Sequence, residues 1–182
     1  CLVGSEMCIR DSCAGVRQDQ HGSAGTPRRR CAEIAIVHFV NYKKGTQTRG
    51  CMKSVMRYVS QTSKTLWDGQ QLVSGIGCQP ETAFDEFLST KLLHHKDGGV
   101  MFYHMVQSFP KGADIDPCAA HEAARRLAGY FEGCEVLVCT HVDREHIHSH
   151  CIINSVNFET GRKVHMADEQ LSLIHISEPT RH

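Results

Sequence analysis

The segment HIHSHCIINSVNF, residues 146–158, constrains the fold more than any other part of this 182-residue sequence. Its β-branched residues, and the turn sequence ETGR that follows it, are typical of a β-strand. Side chains of a strand alternate between the two faces of a sheet, so His146, His148 and His150 are expected on one face. We therefore predict a sheet with a cluster of imidazoles on one side.

Imidazoles in this arrangement favour a metal site. Neighbouring side chains on one face of a strand lie roughly 6.6–7 Å apart, which lets an H-x-H pair lean onto one ion at bonds of ~2 Å. His141 ends the preceding predicted strand and adds a third nitrogen. A set of nitrogen ligands leaves positions open for water or substrate, as in catalytic centres. The alternative is that the histidines only line a polar sheet face, but four histidines within residues 141–150 favour the metal.

Two common H-x-H arrangements do not fit the sequence. The metallo-β-lactamase pattern H-x-H-x-D-H requires an aspartate that is absent after the pair. A cupin requires a glycine-rich approach and a glutamate a few residues later, where this chain has Ile153 and Asn154.

The rest of the chain alternates between strand and helix patterns. The helix predicted at Cys51–Val59 places apolar residues at helical spacing, and Tyr58 lies at the edge of that stripe. Asp116 and Pro117 are typical of a helix start, and that helix is expected to run to about Phe131. The pattern predicts an α+β fold, a mainly antiparallel sheet flanked by helices. Further strands are predicted at 34–40, 71–77, 100–109 and 135–140, and a further helix at 80–95, with apolar positions Phe84, Phe87, Leu88 and Leu92.

Composition bounds the function without specifying it. A chain of 182 residues that is 41% hydrophobic fits one domain, and a formal net charge of +0 argues neither for nor against a nucleic-acid partner. Residues 34–67, however, contain no acidic side chain, which indicates either a solvated helix face or a surface that contacts phosphates. The basic residues of this segment are Lys43, Lys44, Arg49, Lys53, Arg57 and Lys64.

The two ends have no periodic apolar pattern. We predict that residues 1–33 are a non-native or disordered leader, that 34–170 form a C-terminally truncated domain, and that 171–182 are a non-native tail. The ten cysteines form no CxxC pair, and no apolar run approaches the ~18 residues of a membrane span. These features favour a cytoplasmic protein with reduced thiols and no membrane partner.

Three segments, in order along the chain, resemble the motifs of one enzyme family. HVDREHIHSHCIIN, residues 141–154, resembles the pattern H-x-D-x4-H-x-H-x3-N. MRYVSQTSKT resembles a tyrosine motif with a downstream lysine, and YHMVQSF a strand that ends in Ser108 and Phe109. The pattern is that of conjugative relaxases, the MobA/VirD2-like mobilization nucleases of the HUH endonuclease superfamily, and the resemblance covers residues 34–167.

The resemblance implies a role for each residue of the three motifs. Tyr58 is the expected nucleophile, Asp143 a carboxylate that orients a histidine ring, and His146 a proton acceptor or spare ligand. The metal triad is expected at His141, His148 and His150; His146 and His148 form a second H-x-H frame, but the spacings from His141 and to Asn154 favour the first. Expected DNA contacts are Lys53, Arg57, Lys64, Ser108 and Asn154.

The implied reaction is site- and strand-specific nicking and strand transfer at a plasmid or mobile-element transfer origin, through a 5′-phosphotyrosyl intermediate. It implies Mg²⁺ or Mn²⁺, single-stranded or locally melted DNA, and accessory mobilization proteins. The alternatives are an HUH-type replication initiator, a non-catalytic DNA-binding module and a hydrolytic metallophosphodiesterase. Tyr42, Tyr103 and Tyr130 compete with Tyr58 for the role of nucleophile.

Overall fold

The computed structural model describes residues 35–43 and 45–165. The predicted leader and tail lie outside these residues, so the domain boundaries stay predictions. The helices are α1 (Arg49–Val59), α2 (Thr62–Thr65), α3 (Ala83–Leu93) and α4 (Pro117–Ala128). The strands are β1 (Ile36–Phe39), β2 (Leu66–Trp67), β3 (Gln70–Gln71), β4 (Val73–Ile76), β5 (Phe102–Ser108), β6 (Val136–His141) and β7 (His148–Asn154).

Five strands form one antiparallel sheet in the order β1-β5-β7-β6-β4, and β2 and β3 form a separate hairpin. The central strand is β7, which carries the H-x-H pair and is paired on both sides. Helices cover both faces of the sheet. The predicted α+β fold with a mainly antiparallel sheet is therefore confirmed.

The alternation along β7 divides its side chains between two apolar layers. Ile152 packs with residues of α1 and α3 on one face, whereas Cys151 and Ile153 pack with α4 on the other. His148 and His150 have the parity of Ile152, so they point toward the α1 side of the sheet. Burying apolar side chains of this size stabilises the fold by roughly 1.5–3 kcal/mol each. This burial sets the register of β7 in the sheet.

Helix α1 forms as predicted and begins with a capping interaction. The Thr48 side chain accepts a hydrogen bond from the Cys51 backbone amide, which satisfies one of the free donors at the helix start. The buried residues of the helix are Met52, Val55, Met56 and Val59, the predicted apolar stripe. Tyr58 lies beside this stripe and is 43% exposed.

Two helices differ from the sequence prediction. In α3, Leu92 is 47% exposed and Lys91 is buried instead, because the Lys91 ammonium group hydrogen-bonds Asn154 and Ser155 inside the fold. Helix α4 begins at Pro117 with Asp116 as its cap, as predicted, but it ends at Ala128 rather than near Phe131. Among the described residues, no helix is both long enough and apolar enough to cross a bilayer.

Candidate active site

Three histidines converge where β6 and β7 pair. His141 lies directly opposite His148 in the register, and His150 lies opposite Cys139, one pair further along the same face. The ring centroids are 5.0 Å apart for His141 and His148, 4.5 Å for His141 and His150, and 5.1 Å for His148 and His150. One nitrogen from each ring lies within 4.8 Å of those of the other two. These three histidines are the triad expected from the sequence.

Hydrogen bonds to backbone carbonyls determine which nitrogen two of these rings can offer. His141 Nε2 lies 2.9 Å from the Val59 carbonyl oxygen, and His148 Nδ1 lies 3.3 Å from that of His146. A carbonyl oxygen only accepts, so these nitrogens carry the protons and donate. The free lone pairs are therefore His141 Nδ1 and His148 Nε2.

Burial keeps the triad neutral near pH 7. It lowers the pKa of His148 to about 4, lowers that of His141, and lowers that of His150 well below its ordinary value. Neutral imidazoles have the lone pair that a metal ion requires. Nitrogens bonded to one ion at ~2.1 Å would be roughly 3–3.5 Å apart, so small ring rotations bring the triad to ligand distances. The donor set thus fits a divalent ion, and the ion would keep positions open for oxygen ligands.

His146 lies outside the strand that was predicted to contain it. Strand β7 begins at His148, and His146 lies in the bend that joins β6 to β7. Its ring centroid is 5.3 Å from that of His148, but it is not one of the three converging ligands. The alternation rule fails here because the chain has not yet entered the sheet.

Tyr58 lies beside the triad at the C-terminal end of α1. Its ring centroid is 6.2 Å from that of His141, at an edge-on angle, and the carbonyl of the next residue, Val59, accepts the His141 hydrogen bond. The helix end and the histidine are therefore joined directly. Lys64 Nζ lies 4.7 Å from the Tyr58 ring centroid, so a positive charge faces the predicted nucleophile.

Asp143 does not orient a histidine ring, contrary to the prediction. Its carboxylate accepts a hydrogen bond from Lys64 Nζ at 3.2 Å, and backbone carbonyls orient His141 and His148 instead. Burial alone would raise the pKa of Asp143, but the hydrogen bond and charge of Lys64 hold it below its ordinary value. Burial alone would lower the pKa of Lys64, but Asp143 and Tyr58 raise it overall. Asp143 thus holds Lys64, which in turn faces Tyr58.

The predicted DNA contacts fall in different environments. Ser108 lies opposite His148 in the β5–β7 register and is half-buried, so it lies at the triad end of the sheet. Lys53 and Arg57 are exposed on α1. Arg49, in contrast, forms an ion pair with Asp97, so part of the basic segment is already neutralised within the fold.

Asn154 lies too deep in the fold to contact DNA, and this prediction was wrong. It is fully buried, it ends β7 at the opposite end from His148, and its amide bonds Lys91, Glu135 and the Phe87 carbonyl. Thr90 completes the cluster by donating to Glu135 at 2.7 Å. The motif asparagine is therefore part of a buried polar network in the core.

His104 was missed as a member of the site, and Tyr42 was considered only as an alternative nucleophile. His104 Nε2 lies 2.9 Å from His150 Nδ1, and the Tyr42 hydroxyl oxygen lies 2.9 Å from His104 Nδ1. The alternation of β5 places His104 on the face of Ser108, which is the signal that the sequence offered. Of the other tyrosines, Tyr103 donates its hydroxyl to the Val164 carbonyl, and Tyr130 is 69% exposed.

Comparison with known proteins finds a matching protein family. The family model "Relaxase: MobA/VirD2-like, nuclease domain" matches residues 58–178, a range that reaches into the predicted tail. No solved structure matches the chain significantly.

Curated relatives carry relaxase names. The group II intron-interrupted relaxase LtrB of Lactococcus lactis is 32% identical over 139 residues, which cover 62% of this chain and 24% of LtrB. Two proteins named rlx from Staphylococcus aureus are 31% and 38% identical, covering 71% and 56% of this chain and 40% and 32% of their own lengths. The chain thus spans about a quarter to two fifths of the curated relatives it matches. The sequence prediction is confirmed: the chain belongs to the MobA/VirD2-like relaxases, and the matched part is the nuclease domain of that family.

Proposed function

We propose that this chain is the nicking and strand-transfer part of a DNA relaxase, with Tyr58 as its nucleophile. One observation carries the proposal: an exposed tyrosine lies 6.2 Å, ring to ring, from His141, the buried member of a cluster of three neutral histidines. Family membership supports the same reaction class. The proposed substrate is single-stranded or locally melted DNA at a plasmid or mobile-element transfer origin, handled in the cytoplasm with accessory mobilization proteins.

In the proposed reaction, the Tyr58 oxygen attacks a backbone phosphorus atom. A new bond joins the tyrosine oxygen to phosphorus, and the bond from phosphorus to the 3′ oxygen breaks. The phenolic proton is lost, and the leaving oxygen takes up a proton to become a free 3′-OH. The DNA 5′ phosphate stays attached to the enzyme as an ester, so a later 3′-OH can attack the same phosphorus and rejoin a strand.

The residues around Tyr58 support this chemistry in separate ways. His141, His148 and His150 would hold a divalent ion, Mg²⁺ or Mn²⁺, which supplies charge stabilisation for a phosphate that becomes more negative in the transition state. Lys64 Nζ lies 4.7 Å from the Tyr58 ring centroid and would place a positive charge near the phosphate that Tyr58 attacks. His146 lies beside His148 and is the proposed proton acceptor.

DNA binding is proposed on the α1 side of the sheet. The described part of the basic segment holds exposed Lys53 and Arg57 on the helix that carries Tyr58, with Ser108 at the end of β5 nearby. Contacts of this kind neutralise phosphates and release counterions, so affinity should fall as salt rises. A reachable phosphate requires a strand that can bend into the site, which favours single-stranded over duplex DNA.

Adduct capture tests the proposal without knowledge of the nick site. The purified chain is incubated with Mn²⁺ and a randomised pool of single-stranded DNA, and protein–DNA adducts are isolated under denaturing conditions and sequenced. We expect adducts that share a short sequence, complete loss of adducts in Tyr58→Phe, and unchanged noncovalent DNA binding in that variant. Tyr130→Phe is the matched control, because it removes a hydroxyl from another exposed tyrosine.

Three results would contradict the proposal. Adducts that persist in Tyr58→Phe would assign the nucleophile to another residue. Cleavage without any adduct would favour a hydrolytic enzyme. Binding without cleavage or adducts would favour a DNA-binding module.

A further inference from the structure

A chain of two hydrogen bonds runs from the metal triad into the fold. It joins His150 Nδ1 to His104 Nε2 at 2.9 Å, and His104 Nδ1 to the Tyr42 hydroxyl at 2.9 Å. The rings are in contact along its length, with centroids 5.0 Å apart for His150 and His104, and 6.3 Å for His104 and Tyr42. His104 is 8% exposed, so water cannot readily replace either bond.

His150 differs from the other two triad histidines in what determines its tautomer. Carbonyl oxygens fix the protonated nitrogen of His141 and of His148, because a carbonyl cannot donate. The partner of His150 is another imidazole, which donates in one tautomer and accepts in the other. The nitrogen that His150 offers to an ion therefore depends on the direction of the hydrogen-bond chain.

Only one donor–acceptor direction along this hydrogen-bond chain leaves a His150 lone pair free for a metal ion. If Tyr42 donates to His104 Nδ1, a neutral His104 donates from Nε2 to His150 Nδ1, and the proton of His150 lies on Nε2. If His104 Nδ1 donates to the Tyr42 oxygen, then His104 Nε2 accepts from His150 Nδ1 and His150 Nε2 has a free lone pair. A neutral imidazole carries a single N–H, so His104 can donate to Tyr42 or to His150 but not to both.

We propose that His104 and Tyr42 are positioning residues of the metal centre: they hold His150 with its proton on Nδ1 and its Nε2 lone pair free for the ion. The inference rests on the proposed metal site and goes beyond it, since the histidine motif at 141–154 contains neither residue and His104 had no role within the YHMVQSF segment. A hydrogen bond to the distal nitrogen of a ligand histidine fixes the ring orientation and raises its basicity. Ion binding in turn favours the hydrogen-bond direction in which His150 Nδ1 donates to His104 Nε2.

Zn²⁺ titration calorimetry on three histidine variants tests the proposal. His104→Leu removes the acceptor, and we expect its Kd to rise about 10- to 100-fold. His104→Gln keeps an acceptor oxygen close to the position of Nε2, so its Kd should stay within a few-fold of wild type. The matched control is His121→Leu: His121 is equally buried and bonds Ser74 and Thr140 on the α4 side of the sheet, so its loss should leave the Kd unchanged.

NMR of the ¹⁵N-histidine-labelled protein supplies a readout that a merely structural role would not move. In the Zn²⁺ complex, the His150 proton is expected on Nδ1 and the His104 proton on Nδ1. Tyr42→Phe should leave the Zn²⁺-bound tautomer of His150 unchanged and shift the metal-free protein toward a mixture of tautomers.

The outcomes separate this inference from the proposed function. Wild-type protein that takes up no Zn²⁺ would overturn the metal site itself. Wild-type uptake together with an unchanged Kd in His104→Leu, or a His150 proton on Nε2 in the complex, would overturn only the role of His104 and Tyr42.

Discussion

Replacing Asn154 with alanine should destabilise the fold and leave DNA binding by the folded protein unchanged. The Asn154 amide accepts from the Lys91 ammonium group and donates to the Glu135 carboxylate and the Phe87 carbonyl, all inside the core. The Val156 backbone amide also donates to the Asn154 side chain, so truncation removes two hydrogen bonds to charged groups and two to the backbone. The Asn154 side chain reaches no surface on which DNA could lie.

The expected loss follows from the charges left behind. Hydrogen bonds to charged groups contribute about 1.5–3 kcal/mol each, and breaking a buried charge cluster costs roughly 3–5 kcal/mol. Lys91 keeps its bond to Ser155 at 3.0 Å, and Glu135 keeps that from Thr90, so part of the network survives. We expect the free energy of unfolding to fall by about 3–5 kcal/mol, which for a domain of this size lowers the midpoint temperature by roughly 10 °C or more.

Urea denaturation and fluorescence anisotropy measure the two properties separately. The control is Gln71→Ala, which removes an exposed amide that donates to the Ser60 carbonyl and should change the unfolding free energy by about 0.5 kcal/mol or less. DNA affinity is measured at a temperature at which the variant is folded. An Asn154→Ala protein as stable as wild type but with weakened DNA binding would refute this reasoning and support the original prediction of a DNA contact at Asn154.

Three further predictions concern the imidazole cluster and its neighbours. The pKa of His104 is about 4 in the folded state and about 6.5 in the unfolded state, so the unfolded state binds more protons between these pH values. The unfolding free energy of metal-free protein should therefore fall by about 3 kcal/mol from His104 alone as the pH drops through this window, and this contribution should be absent in His104→Leu. Mn²⁺ at about a hundred times its Kd should raise the unfolding free energy by about 2.7 kcal/mol, and EDTA or His148→Ala should abolish the gain. Lys64→Met should slow adduct formation at Tyr58 about tenfold, in line with a charge effect of about 1–2 kcal/mol, while Lys64→Arg should retain most of the rate; equal rates in all three proteins would exclude an electrostatic role for Lys64.

Local periodicity was enough to predict the α1 helix and the central strand. The apolar stripe of α1 and the alternation along β7 depend only on helix and strand geometry, so they are readable without knowledge of the partners. Where the local rule was extended past an element boundary it failed, as at His146, which precedes the first paired residue of β7.

The sequence by itself determined the fold class, the family and the convergence of His141, His148 and His150, because these follow from periodicity, motif spacing and strand pairing. Only the tertiary structure decided which side chains meet from distant parts of the chain. Lys64 and Asp143 are 79 positions apart, Lys91 and Asn154 are 63 apart, and Tyr42 and His104 are 62 apart. Hydrogen bonds of this kind form only after the sheet and helices pack, since the packing excludes water and leaves each buried polar group dependent on whichever partner the topology places beside it.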